Sequence, residues 1–175
     1  MRVSLAACVL FTAAAAAPTP QALLTKLLST PMRNAELPRG FTRTSASPLP
    51  LTANGRKYSA IGKVGVVLRG PDPDDELVYE VFPDSTHAIA DLRHPAVPAG
   101  SHMAGAVTGL KQSTTIVGSI TLQNKTYGVT DAAAVVGTVL IQAITVSTAS
   151  TKHGDAKTAV ELLRAGIAYV QRLSR

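Results

Sequence analysis

A run of small and β-branched apolar residues, residues 134–146, constrains the fold of this chain more than any other segment. Apolar side chains stand at both odd and even positions of the run, so a strand built from it has two apolar faces. Such strands lie at the centre of a sheet, because both faces must be kept from water. The run therefore predicts a central strand that is covered on both sides or by an oligomeric partner.

Alternating patterns in other segments predict the strands that accompany this run. Residues 63–69 alternate apolar and polar side chains, which is typical of a half-buried strand. Residues 77–82 predict a second strand, and the Gly, Pro and Asp residues between the two predict a hairpin turn. Residues 114–122 alternate most regularly, and residues 127–129 predict a short further strand.

Three segments predict helices. Residues 21–29 follow Pro20 and place leucines on one face, and residues 85–93 form a short helix that either Asp84 or Ser85 can cap. Residues 155–173 have an amphipathic pattern, and their predicted apolar stripe consists of Val160, Leu163, Ile167 and Val170. This order of elements indicates an α+β fold, with a mostly antiparallel sheet of four or five strands and helices packed on one face.

The first 16 residues have the layout of a secretory signal peptide. Arg2 supplies the positive start, a short apolar stretch follows, and Ala14 and Ala16 occupy the small-residue positions of a cleavage site. The apolar stretch is far shorter than the ~20 residues that a membrane-spanning helix needs. We therefore expect a secreted or extracytoplasmic protein, cut between Ala16 and Ala17, without a transmembrane segment in its mature chain.

Cys8 is the only cysteine and leaves one alternative open. Residues 5–8 fit the pattern at which bacterial lipoproteins are cut and acylated, which would anchor the protein to a membrane. After signal-peptide cleavage no cysteine remains, so packing alone must hold the domain together. We expect one domain, in which residues 17–60 form a helix and a basic irregular arm and residues 61–175 form the α+β core.

Positive charge is concentrated in the arm and the first predicted strand. Residues 26–69 include eight basic residues and one acidic residue, Glu36. A basic segment of an exported protein can bind an anionic envelope component, and we assign this possibility to Arg33, Arg39 and Arg43. The alternative is an ordinary solvated surface. Nucleic acid is not an expected partner, because aromatic residues are not interleaved with the basic ones.

His87, Asp91 and His94 have a spacing that would place them on one face of a helix. Two imidazoles and a carboxylate can bind a metal ion, with His102 as a further ligand. The outward face of any surface helix is polar, however, so we expect neither a metal nor a cofactor. The sequence contains no nucleophile elbow, dinucleotide-binding motif or phosphate-binding loop. An enzyme without a recognisable motif would rely on these four residues.

Residues 77–82, 135–141 and 159–167 together resemble uncharacterised exported α+β domains of bacteria. Those domains occur as small secreted proteins, lipoproteins and sensor ectodomains, and the resemblance carries no catalytic signature. Together with the basic arm, it favours an exported, non-enzymatic domain that binds a protein partner, an envelope component or a small apolar ligand. The alternative is the motif-free enzyme described above, and the oligomeric state stays open.

We predict that the secreted protein begins at Ala17. Mass spectrometry of the protein recovered outside the cytoplasm should give an N-terminus within one or two residues of this position, because Ala14 and Ala16 satisfy the cleavage pattern. A fatty-acylated Cys8 as the first residue would contradict this prediction and make the protein membrane-anchored.

Overall fold

The computed structural model describes residues 17–70, 75–122, 124–147 and 155–175. The predicted signal peptide and Cys8 lie outside the described residues. In chain order the elements are α1 (Pro20–Ser29), β1 (Thr42–Pro48), α2 (Ala53–Lys57), β2 (Gly62–Arg69), β3 (Glu76–Val81), α3 (Ser85–Arg93), β4 (His102–Gly105), β5 (Ser113–Leu122), β6 (Lys125–Val136), β7 (Val139–Ser147) and α4 (Ala156–Leu173). A short 3-10 helix, Asn34–Glu36, lies between α1 and β1.

Within the described residues, seven strands form one sheet in the order β1-β2-β3-β7-β6-β5-β4. All six pairings are antiparallel. Strands β1 to β3 form one meander and strands β4 to β7 form another, because each strand pairs with its neighbour in sequence. The pairing of β3 with β7 joins the two meanders and places β7 in the middle of the sheet.

The predicted strand number is wrong, since the sheet has seven strands instead of four or five. The missed strands β1 and β4 lie at the two edges, where most side chains are exposed and no apolar alternation is needed. Strand β1 and helix α2 lie within the segment that the sequence analysis treats as an irregular arm. The apolar run 134–146 is also divided, because Gly137 and Thr138 turn the chain between β6 and β7. Gly137 has a φ of 58°, a value that glycine adopts without strain.

The face of the sheet that carries Val64, Tyr79, Ile141 and Ala134 is called the core face here. These four residues are cross-strand neighbours on β2, β3, β7 and β6, and all are buried. Helices α1 and α4 cover this face and contribute their buried leucines to the same hydrophobic cluster. The main apolar core therefore lies on this side of the sheet.

Helices also cover the opposite face, in contrast to the predicted packing on one face only. This second face, called the pocket face, carries the cross-strand neighbours Lys63, Glu80 and Leu140. Ala88 and Leu92 of α3 pack there in a smaller cluster, which includes Leu140, Phe82 and Ala133. The alternation of side chains along each strand separates the two clusters, so both sides of the sheet are covered and the larger apolar cluster lies on the core face.

Helix α4 begins after Asp155, whose side chain accepts hydrogen bonds from the backbone N–H groups of Lys157 and Thr158. The residues that α4 buries are Ala159, Leu162, Leu163, Gly166, Tyr169, Val170 and Leu173. The buried face is therefore rotated relative to the predicted stripe, and Val160 and Ile167 are only half-buried.

Gly166 allows α4 to approach the sheet closely. A β-carbon at this position would lie 3.0 Å from Ile141 Cγ2 and 3.3 Å from the Tyr79 hydroxyl. The Tyr169 ring packs edge-on against Tyr79, with 5.6 Å between ring centroids. The Tyr169 hydroxyl donates a hydrogen bond of 2.5 Å to the backbone oxygen of Thr30, which ties α4 to the end of α1.

We predict that Leu162→Ala destabilises the protein more than Ile167→Ala. Leu162 is fully buried, so its truncation should cost about 2–5 kcal/mol, whereas the half-buried Ile167 should cost roughly half as much. Urea unfolding of the unmodified protein and the two variants measures both losses in unfolding free energy. The comparison uses the same slope of free energy against urea concentration for all three proteins. Equal losses would mean that the helix face is assigned incorrectly.

Candidate functional site

A pocket of about 190 Å³ lies between the pocket face of the sheet and helices α2 and α3. Its polar lining consists of Thr52, Asn54, Lys63, Glu80, Asp91, Thr114, Asp131 and Gln142. Three carboxyl groups thus face a single ammonium group, although the chain as a whole carries a net charge of +6. We call this site the acidic pocket.

The strand register brings these side chains together from distant positions in the sequence. Lys63 on β2 is the direct partner of Glu80 on β3. Gln142 on β7 lies diagonally across from Asp131 on β6, and its Nε2 donates a hydrogen bond of 2.9 Å to Asp131 Oδ2. Thr114 on β5 points to the same face of the sheet. The floor of the pocket is therefore built on five strands from both meanders.

Helices α2 and α3 form the outer wall. Asp84 caps α3 by accepting a hydrogen bond of 3.0 Å from the backbone N–H of His87, and Asp91 lies buried on the inner side of this helix. Asn54 on α2 donates from Nδ2 to Asp91 Oδ1 and, at 3.2 Å, to the backbone oxygen of His94. Asn54 therefore links the two helices and orients the Asp91 carboxyl group.

Three residues that line the pocket each carry an enclosed oxygen without a hydrogen-bond partner: Glu80 (Oε1), Thr114 (Oγ1) and Asp131 (Oδ1). Glu80 is only 2% exposed, and its Oε1 lies against the backbone of α2, where a β-carbon at Gly55 would overlap it. A buried acceptor without a partner costs about 1–3 kcal/mol. Three such atoms in one pocket are a destabilising arrangement that a hydrogen-bond donor would relieve.

Burial shifts the ionisation of the pocket carboxyl groups. It raises the pKa of Glu80 and of Asp131, each to about 6, because an ionised carboxylate loses its hydration there. The nearby Asp91 raises the pKa of Glu80 further, whereas the charge of Lys63 opposes the rise at both positions. Burial also raises the pKa of Asp91. All three groups therefore hold a proton more tightly than they would in water.

The four residues predicted as a metal-binding or catalytic group lie in different surroundings. His87 Nδ1 is 2.9 Å from the carboxylate oxygens of Asp84, His94 is exposed at the end of α3, and His102 is exposed on the edge strand β4. Asp91 faces the acidic pocket instead, and none of the three histidines is among the described residues that line it. Across the described ranges, no group of three His, Cys, Asp or Glu side chains is arranged to bind a metal ion.

The three arginines assigned to envelope binding lie around the start of β1. Arg33 is exposed, with its Nε 3.8 Å from Glu36 Oε1, and Arg39 is also exposed. Arg43 is half-buried on β1, and its Nε is enclosed without a partner. Glu36 also pairs with Arg172 of α4 at 2.5 Å, so its charge is shared. Binding of an anionic surface by these arginines stays a prediction.

The sequence analysis did not identify Lys63, Glu80, Thr114, Asp131 or Gln142 as site residues. One signal was available for Glu80, because it stands inside an apolar predicted strand, where a charged side chain is rarely buried unless it has a partner. The other four become recognisable only through the register, which no local pattern specifies.

Comparisons with known proteins find a similarity in structure and none in sequence family. No family model and no curated protein matches this sequence. The chain is similar in structure to the extracellular domain of PknH from Mycobacterium tuberculosis, with a TM-score of 0.58 and 12% sequence identity. The similarity covers 85% of this chain and 96% of that domain. At this identity it shows a shared fold and not a shared site. No helix within the described ranges is long and apolar enough to cross a membrane.

We predict that Glu80→Gln stabilises the protein at pH 7.5 and flattens the pH dependence of its stability. The pKa of Glu80 is about 6 in the folded protein and lies above the ordinary value of 4.5, so folding takes up a proton between these pH values. The penalty for the buried charge is absent below about pH 4.5, grows as the pH rises through 6 and is complete above it. Removing it should raise the free energy of unfolding at pH 7.5 by about 2 kcal/mol.

Thermal and urea unfolding between pH 5 and pH 7.5 measures this effect. Glu161→Gln on the exposed side of α4 is the matched control and should follow the unmodified protein at every pH. If the free energies of unfolding of Glu80→Gln and the unmodified protein changed with pH in parallel over this range, the prediction would be wrong. The Glu80 carboxyl group would then not be buried in its charged form.

Proposed function

We propose that this chain is an exported, non-enzymatic binding domain and that its acidic pocket binds a small cationic ligand, such as a primary ammonium ion. The observation that carries the proposal is the group of three enclosed acceptors without partners, on Glu80, Thr114 and Asp131. The residues that carry these atoms all line one pocket, so a donor bound there would lie next to all three. The motif-free enzyme is less well supported, because its histidines do not line the pocket.

The chemistry of the lining selects the ligand. A primary ammonium group has three N–H donors and no acceptor, which matches an oxygen-rich site with two unsatisfied carboxylate oxygens and one hydroxyl oxygen. Hydrogen bonds between ionised partners are also about twice as strong as those between neutral ones. A wholly apolar ligand would leave the carboxyl groups of Glu80 and Asp131 unpaired, so the predicted small apolar ligand is less suitable.

Export is supported by two separate observations. The first 16 residues have the signal-peptide layout, and the fold is similar to a solved bacterial extracellular domain. Neither observation concerns the pocket, so the location of the protein and the chemistry of its ligand are independent parts of the proposal.

We predict that ethylammonium binds the purified protein and that ethanol, its neutral counterpart of similar size, does not. Isothermal titration calorimetry should show ammonium affinity rising between pH 5 and pH 7.5, because the pocket carboxyl groups, with pKa values of about 6, become ionised in this range. The double variant Glu80→Gln/Asp131→Asn should bind at least tenfold more weakly.

Glu76→Gln provides the matched control. Glu76 lies on the same strand as Glu80 and on the same face, but it is outside the pocket lining, so its neutralisation should leave the affinity nearly unchanged. Melting temperatures establish that each variant is folded. Equal binding of ethanol, or ammonium binding that ignores both the double variant and pH, would contradict the proposal.

A further inference from the structure

We infer that the ligand of the acidic pocket is an amphiphile, with a cationic head between Glu80 and Asp131 and an aliphatic tail in an adjoining apolar cavity. The inference rests on the proposed function, because the apolar cavity adjoins the acidic pocket at Asp131. It adds a second recognition element, which selects ligands by the length of their apolar part.

A second cavity, of about 160 Å³, continues from the acidic pocket along the same face of the sheet. The two share Ala96, Ile116, Asp131 and Ile144 as lining residues, so they adjoin along a common wall. The residues that line only the second cavity are Pro98, Ser101, Gly118, Ile120 and Val129. None of these five carries a charge, in contrast to the acidic pocket. We call this second cavity the tail cavity.

Asp131 stands at the junction of the two cavities. Its Oδ2 is held by Gln142, which leaves the enclosed Oδ1 to accept from a ligand head. From Asp131 the tail cavity follows β6 to Val129, two residues away, and reaches Ile120, which is paired with Tyr127. Along the extended strand β6, Val129 lies about 7 Å from Asp131, and Tyr127, the partner of Ile120, lies about 13 Å from it. A cavity of this length suits a tail of about six to eight carbon atoms.

The floor of the tail cavity has apolar surface that the protein leaves incompletely covered. Ile120, Val129 and Ile144 are each only half-buried. The roof is the segment of residues 96–101, in which the Ser101 backbone N–H donates to the Pro98 oxygen at 3.0 Å. Ser101 packs so closely on Gly118 that a β-carbon at 118 would overlap it. The roof is thus held in contact with β5 at Gly118, and both residues line the tail cavity.

Charged and apolar surfaces therefore lie next to each other in two adjoining cavities. A short cation would satisfy the carboxyl groups but leave the tail cavity unfilled, and a hydrocarbon would fill the tail cavity but leave the carboxyl groups unpaired. A single-chain amine does both. Each methylene group that enters the tail cavity removes apolar surface from water on both ligand and protein.

The experiment is a titration of the protein with n-alkylammonium ions from ethyl to octyl, each below its critical micelle concentration. Affinity should rise about threefold for each added methylene group until the tail cavity is full, and then level off. Val129→Phe, which fills the tail cavity, should leave ethylammonium affinity unchanged and abolish most of the gain from longer chains. Val67→Phe is the matched control. Val67 lies on β2, is exposed on the pocket face of the sheet and lines neither cavity.

The outcomes separate this inference from the proposed function. If ethylammonium binds through Glu80 and Asp131 but longer chains bind no more tightly, the amphiphile is excluded and the cation-binding function stands. If the chain-length gain persists in Val129→Phe, the tail lies elsewhere and the inference is overturned. If no alkylammonium ion binds in a manner that depends on Glu80 and Asp131, both proposals fail. Melting curves of each variant confirm that it is folded before it is titrated.

Discussion

The packing of α4 on the core face is the contact on which the rest of the structure depends. Seven residues of this helix are buried, and Gly166 lets its backbone approach Ile141 and Tyr79 closely. The described residues contain no cysteine, so no covalent link supports this packing. Tyr169 and Arg172 extend the contact to the end of α1 and to Glu36, which fixes the first helix against the last. Most of the hydrophobic stabilisation is therefore concentrated on one side of the sheet.

This concentration leaves the pocket face free to carry groups that disfavour folding. Three buried carboxyl groups with raised pKa values and one lysine stand where a second apolar core would give more stability. Proteins commonly accept such a loss at functional sites, because recognition requires polar groups that are held in place before the ligand arrives. Here the hydrogen bonds of Asn54 to Asp91 and of Gln142 to Asp131 provide that positioning.

Elements with strong local signals could be predicted from the sequence, and elements defined by their neighbours could not. Helix α3 has the predicted bounds, 85–93, because Asp84 caps it and its apolar residues recur at helical spacing. Strand β4 has four exposed residues and is recognisable only by its pairing with β5. The division of the apolar run had one signal, Gly137, which the continuous hydrophobicity around it concealed. Asp91 was singled out for a metal site, although its partner is Asn54, 37 residues away.

The two meanders of the sheet also have a consequence for how quickly the chain can fold. Each meander pairs strands that are close in sequence, and such hairpins form within microseconds. In the part of the chain that the structure describes, the meanders are joined through β3 and β7, and this pairing connects Val81 with Val139. Pairing between such distant segments is slow to form, because closing the long intervening segment costs conformational entropy. We therefore expect the union of the two meanders to set the rate at which the described sheet is completed.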